Sequence, residues 1–264
     1  MFVELEGTLE FLDFRCRHIS QQWLPSWTPD FAPNLSIQIP ELTWAGWQSL
    51  RGTRPGWPRD ENLLPRIAGE DASVLLARGA LLDRVTKVVE VHWDVPDFSD
   101  TIRQIPLSPK KGTGKQATSH PAVDDCDEMH ETIWRTLIAD TSVNEEMPCP
   151  GEYSEYYKEL ATATTTDLSS GAWDYHNAMQ QATSIRPRFP CRRLLLFEKK
   201  FDLGLGPPES QIGDLLCLLA GYSLPVILRP CGDSFQFVGD VYVRGLMQGE
   251  GFSDSEPSQS FVIK

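Results

Sequence analysis

The chain has 264 residues, 41% hydrophobic and 23% charged, so it is long enough to bury one large core or two small ones, and wholesale disorder is excluded. Its 24 Lys and Arg against 37 Asp and Glu give a formal net charge of −13, which repels phosphate backbones and anionic lipid and argues against nucleic-acid or membrane partners. No run approaches the roughly 20 apolar residues of a membrane helix, and the opening MFVELEGTLE lacks a secretory signal's basic and apolar regions; a cytoplasmic protein is expected.

The periodicity divides the chain into five regions. Residues 1–95 are expected to hold an N-terminal helix, a Trp- and Pro-rich loop and a β-hairpin. Leu5, Leu9, Leu12 and Ile19 have near-helical spacing, and Leu24-Pro25-Ser26-Trp27-Thr28-Pro29-Asp30-Phe31 follows as an irregular aromatic clamp, because its prolines force extended or turn geometry. Pro33 to Arg66 has no sustained period and relies on docked tryptophans. Ala72 to Val91 reads as a hairpin or one bent strand, interrupted near Gly79. Residues 96–122 turn to Pro, Ser, Lys and Gly and are expected to be a flexible linker.

Residues 123–192 are expected to be helical. The clearest helix is Asp127 to Asp140, where Met129, Ile133, Trp134, Leu137 and Ile138 share one face. Two weaker helices are expected over Tyr153 to Ala163 and Ala172 to Thr183, the latter turning Trp173, Met179 and Ala182 to the core. Residues 193–250 form a C-terminal β-rich module of short, regularly spaced strands, with turns at Gly204 to Pro208, Gly213-Asp214, Cys231 to Ser234 and Gly239-Asp240. Residues 251–264 are expected to be a frayed polar tail. The fold class is α+β: a small antiparallel β-barrel-like module with several packed helices and long irregular loops.

Motifs that carry chemistry are approached and missed. Gly204-x-Gly206 follows a strand, but Glu209 occupies the third glycine position of a dinucleotide fingerprint and Pro207 and Pro208 interrupt the helix it needs. Gly112-Thr113-Gly114-Lys115 lacks the hydroxyl of a phosphate loop, which Gln116 replaces. His130-Glu131 begins a zinc-protease motif, but Trp134 stands where the second imidazole belongs. Gly221-Tyr222-Ser223 begins a nucleophile elbow that Pro225 ends. Cys16, Cys126, Cys149, Cys191, Cys217 and Cys231 form no close pairs, so free thiols are expected. Neither a catalytic residue, a metal nor a cofactor is expected from these patterns.

Gly204-Leu205-Gly206-Pro207, Gly213-Asp214, the Pro225 to Pro230 run with Arg229, Phe237 to Met247 with Gly239, Tyr242 and Gly245, and Gly249-Glu250 resemble, in order and spacing, the closing segment of fungal heterokaryon-incompatibility (HET) domain proteins. Leu24 to Asp30, Ala77 to Val85 and Glu131 to Leu137 agree with the same family. In that family these segments lie downstream of the HET domain, whose own opening and Asp-x-x-Cys-Ile-Asn-Gln-type motifs are absent from this sequence. The resemblance implies a part in nonself recognition and cell death at hyphal fusion. It carries over no catalytic residue.

The resulting expectation is a non-catalytic accessory or interaction region with protein partners in incompatibility signalling. Trp23, Trp27, Trp44 and Trp47 are the candidate partner-binding side chains; Gly204, Gly206, Pro207, Gly213, Asp214, Arg229, Gly239, Tyr242 and Gly245 are the structural motif. The rival readings are a barrel whose mouth binds a small ligand or peptide, and a hydrolase assembled from dispersed His, carboxylate and nucleophile.

Overall fold

The computed structural model describes residues 26, 65–69, 73–92, 95–105, 121–183, 192–199, 202–220, 224–247 and 259–264, apart from the side chains of 95–97, 100 and 121–127. Contacts divide the chain into two units, one of Met1–Arg84, Gly213–Val241 and Gly245–Lys264, the other of Val85–Ile212 and Tyr242–Arg244. The fold is α+β, as expected.

In the first unit, strands β1 (Arg66–Ala68), β2 (Val74–Glu90), β5 (Leu215–Leu219), β6 (Val226–Cys231), β7 (Ser234–Asp240) and β9 (Gln259–Ile263) build a barrel-like sheet. β2 pairs with β5, β5 with β6 and β6 with β7, all antiparallel; β7 pairs with β9 in parallel, and β9 returns antiparallel to β2. The circuit therefore closes on itself, with β1 paired to β2 beside it. Alternation along each strand turns Leu75, Leu215, Leu228, Phe237, Phe261 and Ile263 into one buried cluster, and the Phe235 and Phe261 rings meet edge to face at 5.2 Å.

β2 is one continuous 17-residue strand rather than a hairpin, with register shifts between Leu81 and Asp83 and between Val85 and Lys87. Gly79 is no break. It pairs with Leu219 on one side and Gln259 on the other, and a Cβ there would lie 2.2 Å from the Leu218 carbonyl oxygen and 2.9 Å from the Phe261 ring. Glycine stands there because two backbones and a ring converge.

In the second unit the far half of β2 pairs antiparallel with β3 (Arg193–Phe197), β3 with β4 (Leu203–Gly206) and β4 with β8 (Tyr242–Val243). Helices α1 (Val95–Arg103), α2 (Pro121–Leu137), α3 (Tyr153–Thr162) and α4 (Ser170–Thr183) share a core with Leu194, Leu196 and Leu203 of this sheet. The α2 face read from the sequence is the buried one: Ile133, Leu137 and Ile138 are fully buried. Pro121 opens α2, where a missing N–H costs nothing. The helix ends in paired Ala139 N–H to Thr136 and Asp140 N–H to Arg135 carbonyl bonds, with Ala139 and Asp140 at φ 49° and 54°.

Four local expectations are corrected. Val95–Arg103, at the start of the expected linker, is helical; Phe98 is buried against Tyr157, and Thr101 Oγ1 donates to the Glu90 carbonyl while accepting from the His92 N–H. Gln259–Ile263, in the expected tail, is a strand, because Phe261 and Ile263 alternate into the barrel. Trp173 is exposed while Ala172, Tyr175 and Met179 are buried, since one residue's step rotates a side chain by about 100° around a helix. Gly204 and Gly206 lie within β4 rather than in a turn; the turn follows at Pro208 and Glu209. The expected N-terminal helix, aromatic clamp and Trp-rich loop lie outside the described residues, except for Ser26 and the start of β1.

Candidate functional site

Two pairs among the structural-motif residues meet, Asp214 with Arg229 and Gly204 with Tyr242. Asp214 and Arg229 lie opposite each other one step beyond the Leu215↔Leu228 pair. The Arg229 guanidinium grips the carboxylate with both arms, Nε to Oδ1 at 2.9 Å and Nη2 to Oδ2 at 3.0 Å. Asp214 is 1% exposed and is reached from Gly213, whose φ of 95° only glycine adopts without strain. A buried bidentate pair of this kind fixes register between strands.

Gly204 and Gly206 face Phe197 and Leu195. A Cβ at Gly204 would lie 2.9 Å from the Phe197 ring and from the Tyr242 carbonyl oxygen, and one at Gly206 would lie 2.4 Å from Leu195 Cδ1. These glycines therefore make room for cross-strand neighbours and for β8, where Tyr242 is buried. Pro207, also buried, accepts the Ser210 N–H in the turn after β4. Gly239 flanks the register shift between Ile227 and Leu228, and Gly245 has φ 77° in the turn after β8.

A polar cluster lies on α2. Glu131 Oε1 accepts from Arg135 Nε at 2.8 Å and from Arg244 Nη2 at 3.1 Å, and Arg244 Nη1 also donates to Thr132 Oγ1 at 3.3 Å. Arg135 bonds Asp140 and the Cys149 carbonyl, and its guanidinium lies 4.2 Å from the Trp134 ring centre. Two positions far apart in sequence, Glu131-Thr132 and Arg244, are thus tied together. Sequence reasoning passed over Glu131, Arg135 and Arg244 as site residues; the i,i+4 spacing of Glu131 and Arg135 was the available signal.

The chemistry of this cluster is restrained. Burial, with the Asp140 carboxylate second, pushes the Cys149 thiol from 9.0 up to about 12, so it is protonated and a poor nucleophile at neutral pH. Burial likewise raises the Cys217 thiol and the Tyr157 and Tyr175 phenols. Tyr175 donates to the Trp134 carbonyl at 2.9 Å, which places its hydroxyl in a structural bond. Glu159, on the surface, is held below its usual range by the Ser169 hydroxyl and N–H, and this ties α3 to the residue that caps α4.

Among the described residues no three His, Cys, Asp or Glu side chains gather as metal ligands. His92, His130 and His176 sit after β2, on α2 and on α4 respectively, and His176 packs against Trp173. The candidate partner-binding residues Trp23, Trp27, Trp44 and Trp47 lie outside the described residues, as does Ser223. Ser26, between the first two tryptophans, is 3% exposed and accepts the Phe237 N–H at 2.8 Å. No helix among the described residues is long and apolar enough to cross a membrane.

Residues 128–263, just over half of the chain, match the family model described as the Het-6 beta-barrel domain. No curated protein and no solved structure matches. The matched segment runs from α2 to β9 and does not include β2.

Proposed function

Because the chain belongs to the Het-6 beta-barrel domain family, we propose that it is a non-catalytic interaction region of a HET-type protein, serving nonself recognition and heterokaryon incompatibility in the fungal cytoplasm. The observation that carries this reading is the mutual pairing of family-like residues: Asp214 with Arg229, Glu131 with Arg244, and Gly204 with Tyr242. Side chains spent on one another build a scaffold, and a scaffold acts through what it presents to a partner. The formal charge of −13 favours protein partners over nucleic acid or anionic lipid. Trp23, Trp27, Trp44 and Trp47 are the first side chains to substitute in a search for partner contacts, since aromatic area dominates interface energetics.

The rival ligand-binding barrel is disfavoured because its interior is filled by its own apolar side chains, Phe237 and Phe261 among them. The test compares a HET domain alone with the same domain fused to this chain in a fungal host, scoring death on contact with compatible and incompatible tester strains. The fusion is expected to distinguish the testers where the bare domain does not. Identical responses from the two proteins would remove the reading.

A further inference from the structure

Helix α4 begins on a cap that another helix completes. The Ser169 hydroxyl accepts the Ala172 N–H at 3.1 Å and the Ser169 carbonyl accepts the Trp173 N–H at 3.1 Å, so Ser169 is the N-cap. In a capping box the third helical residue, a Glu or Gln, reaches back to the N-cap N–H. Here that residue is Ala172, and the first turn of α4 carries no acidic side chain. Glu159 of α3 takes its place: Oε1 accepts the Ser169 N–H at 2.7 Å and Oε2 accepts the Ser169 hydroxyl at 2.6 Å.

The position suits α4 and not α3. Glu159 stands in the last turn of its own helix, where the helix dipole disfavours a carboxylate, and beside the N-terminus of α4, where the dipole favours one. The Ser169 hydroxyl and N–H hold its carboxyl below the ordinary 4.5. Lys158 is bonded to Glu155, and none of Arg103 on α1, Arg135 on α2, Asp167 in the connection, or Asp174 and His176 on α4 bonds Glu159. The neighbouring contact between the two helices does not titrate in the acid range: a Cβ at Gly171 would overlap the Tyr156 ring, so the ring lies directly on α4. Further along α4, Ala172, Tyr175 and Met179 are fully buried.

We propose that the Glu159–Ser169 clasp is an acid-released joint: protonation of the Glu159 carboxylate frees Ser169 and the exposed connection before it while the rest of both helices stays packed. Thr164, Thr165, Thr166 and Asp167 are exposed in that connection, and the clasp closes it by joining the end of α3 to the start of α4. A protonated carboxyl loses the charge that draws both Ser169 donors, so the N–H and the hydroxyl turn to water. The folded carboxyl titrates lower than the unfolded one, so the clasp's contribution is complete above 4.5 and is lost as pH falls through the folded value. Tyr156 on Gly171 and the buried face of α4 are untouched by that proton, which keeps the release local. The joint does not depend on the role in incompatibility.

Amide hydrogen exchange on the full chain at neutral pH tests it, with Glu159→Gln standing in for the protonated carboxyl. Exchange at the Ser169 amide is expected to quicken about tenfold, with Ala172 following, while Tyr175 and Met179 keep their rates. Glu155→Gln removes the same charge one turn earlier on α3, from a carboxylate bonded to Lys158, and is expected to leave Ser169 unchanged. An unchanged Ser169 rate in Glu159→Gln, equal acceleration along the whole of α4, or the same effect from Glu155→Gln would overturn the proposal. In the unsubstituted chain the Ser169 amide proton resonance is expected to move on acidification with a midpoint below 4.5. A midpoint at or above that value overturns it as well.

Discussion

Desolvating a carboxylate costs several kcal/mol, and the two bonds from Arg229 offset part of that cost for Asp214 at 1% exposure. Asp214→Ala takes the carboxylate away from a half-buried guanidinium, and Arg229→Met takes two bonds away from the buried carboxylate. Each is expected to destabilise the chain by about 2–4 kcal/mol in denaturant unfolding, less than a fully buried pair because Arg229 retains some solvent. The double substitution should cost clearly less than the sum of the singles, and additive losses would show that the pair is not coupled. The thiols give a second test. Cys231 is exposed whereas Cys149 and Cys217 are buried, so iodoacetamide at neutral pH should modify Cys231 in the native chain and the other two only after unfolding. Cys149 also sets a pH dependence. Its folded value is raised to about 12, so its contribution to stability is complete below the ordinary 9.0 and is lost as pH rises towards about 12. Cys149→Ser should flatten that decline in alkaline unfolding curves.

Close backbone approach makes an equally sharp prediction for the elements. Gly79→Ala places a methyl group 2.2 Å from the Leu218 carbonyl oxygen, where neither strand can yield without breaking pairs, whereas Gly151 has nothing within 4 Å of the same position. Gly79→Ala is expected to cost about 3 kcal/mol or more in thermal or denaturant unfolding, and Gly151→Ala to stay within about 0.5 kcal/mol. Gly79 also shows what one sequence can and cannot reveal. Helix α2 was legible because Met129, Ile133 and Leu137 repeat at helical spacing, and β5 to β7 were legible because apolar runs alternate with Gly-rich turns. The Gly79 interruption, the helix at Val95–Arg103 and strand Gln259–Ile263 were misread for one reason. Each is stabilised by residues distant in sequence, namely Leu218, Tyr157 and Leu75, while its local composition points elsewhere. Among the polar residues, Asp214 and Arg229 were recognised as family-like, but their pairing depends on the β5–β6 register, which no local pattern contains.

At the scale of the molecule, the barrel draws on both ends of the chain: β2 joins β5 to β9, and β9 returns from the last residues. The family-matched segment 128–263 omits β2, so on its own it leaves β5 and β9 without the strand between them. Residues 128–264 expressed alone are expected to aggregate or to lack cooperative unfolding, whereas a chain starting upstream of β2 should unfold cooperatively. Cooperative folding of the shorter chain would show that β2 is dispensable. Likewise, deleting 259–264 removes Phe261 and Ile263, each worth about 1.5–3 kcal/mol of burial, and is expected to unfold the barrel. The two units hold separate apolar clusters, and Asp214, Arg229, Glu131 and Arg244 make internal ion pairs. The function we propose is that such a protein acts by presenting a surface, without chemistry of its own. Expression of the full chain by itself in a fungus, with cell death scored, tests that claim most directly. Viable growth is the predicted result, and death caused by the chain alone would contradict it.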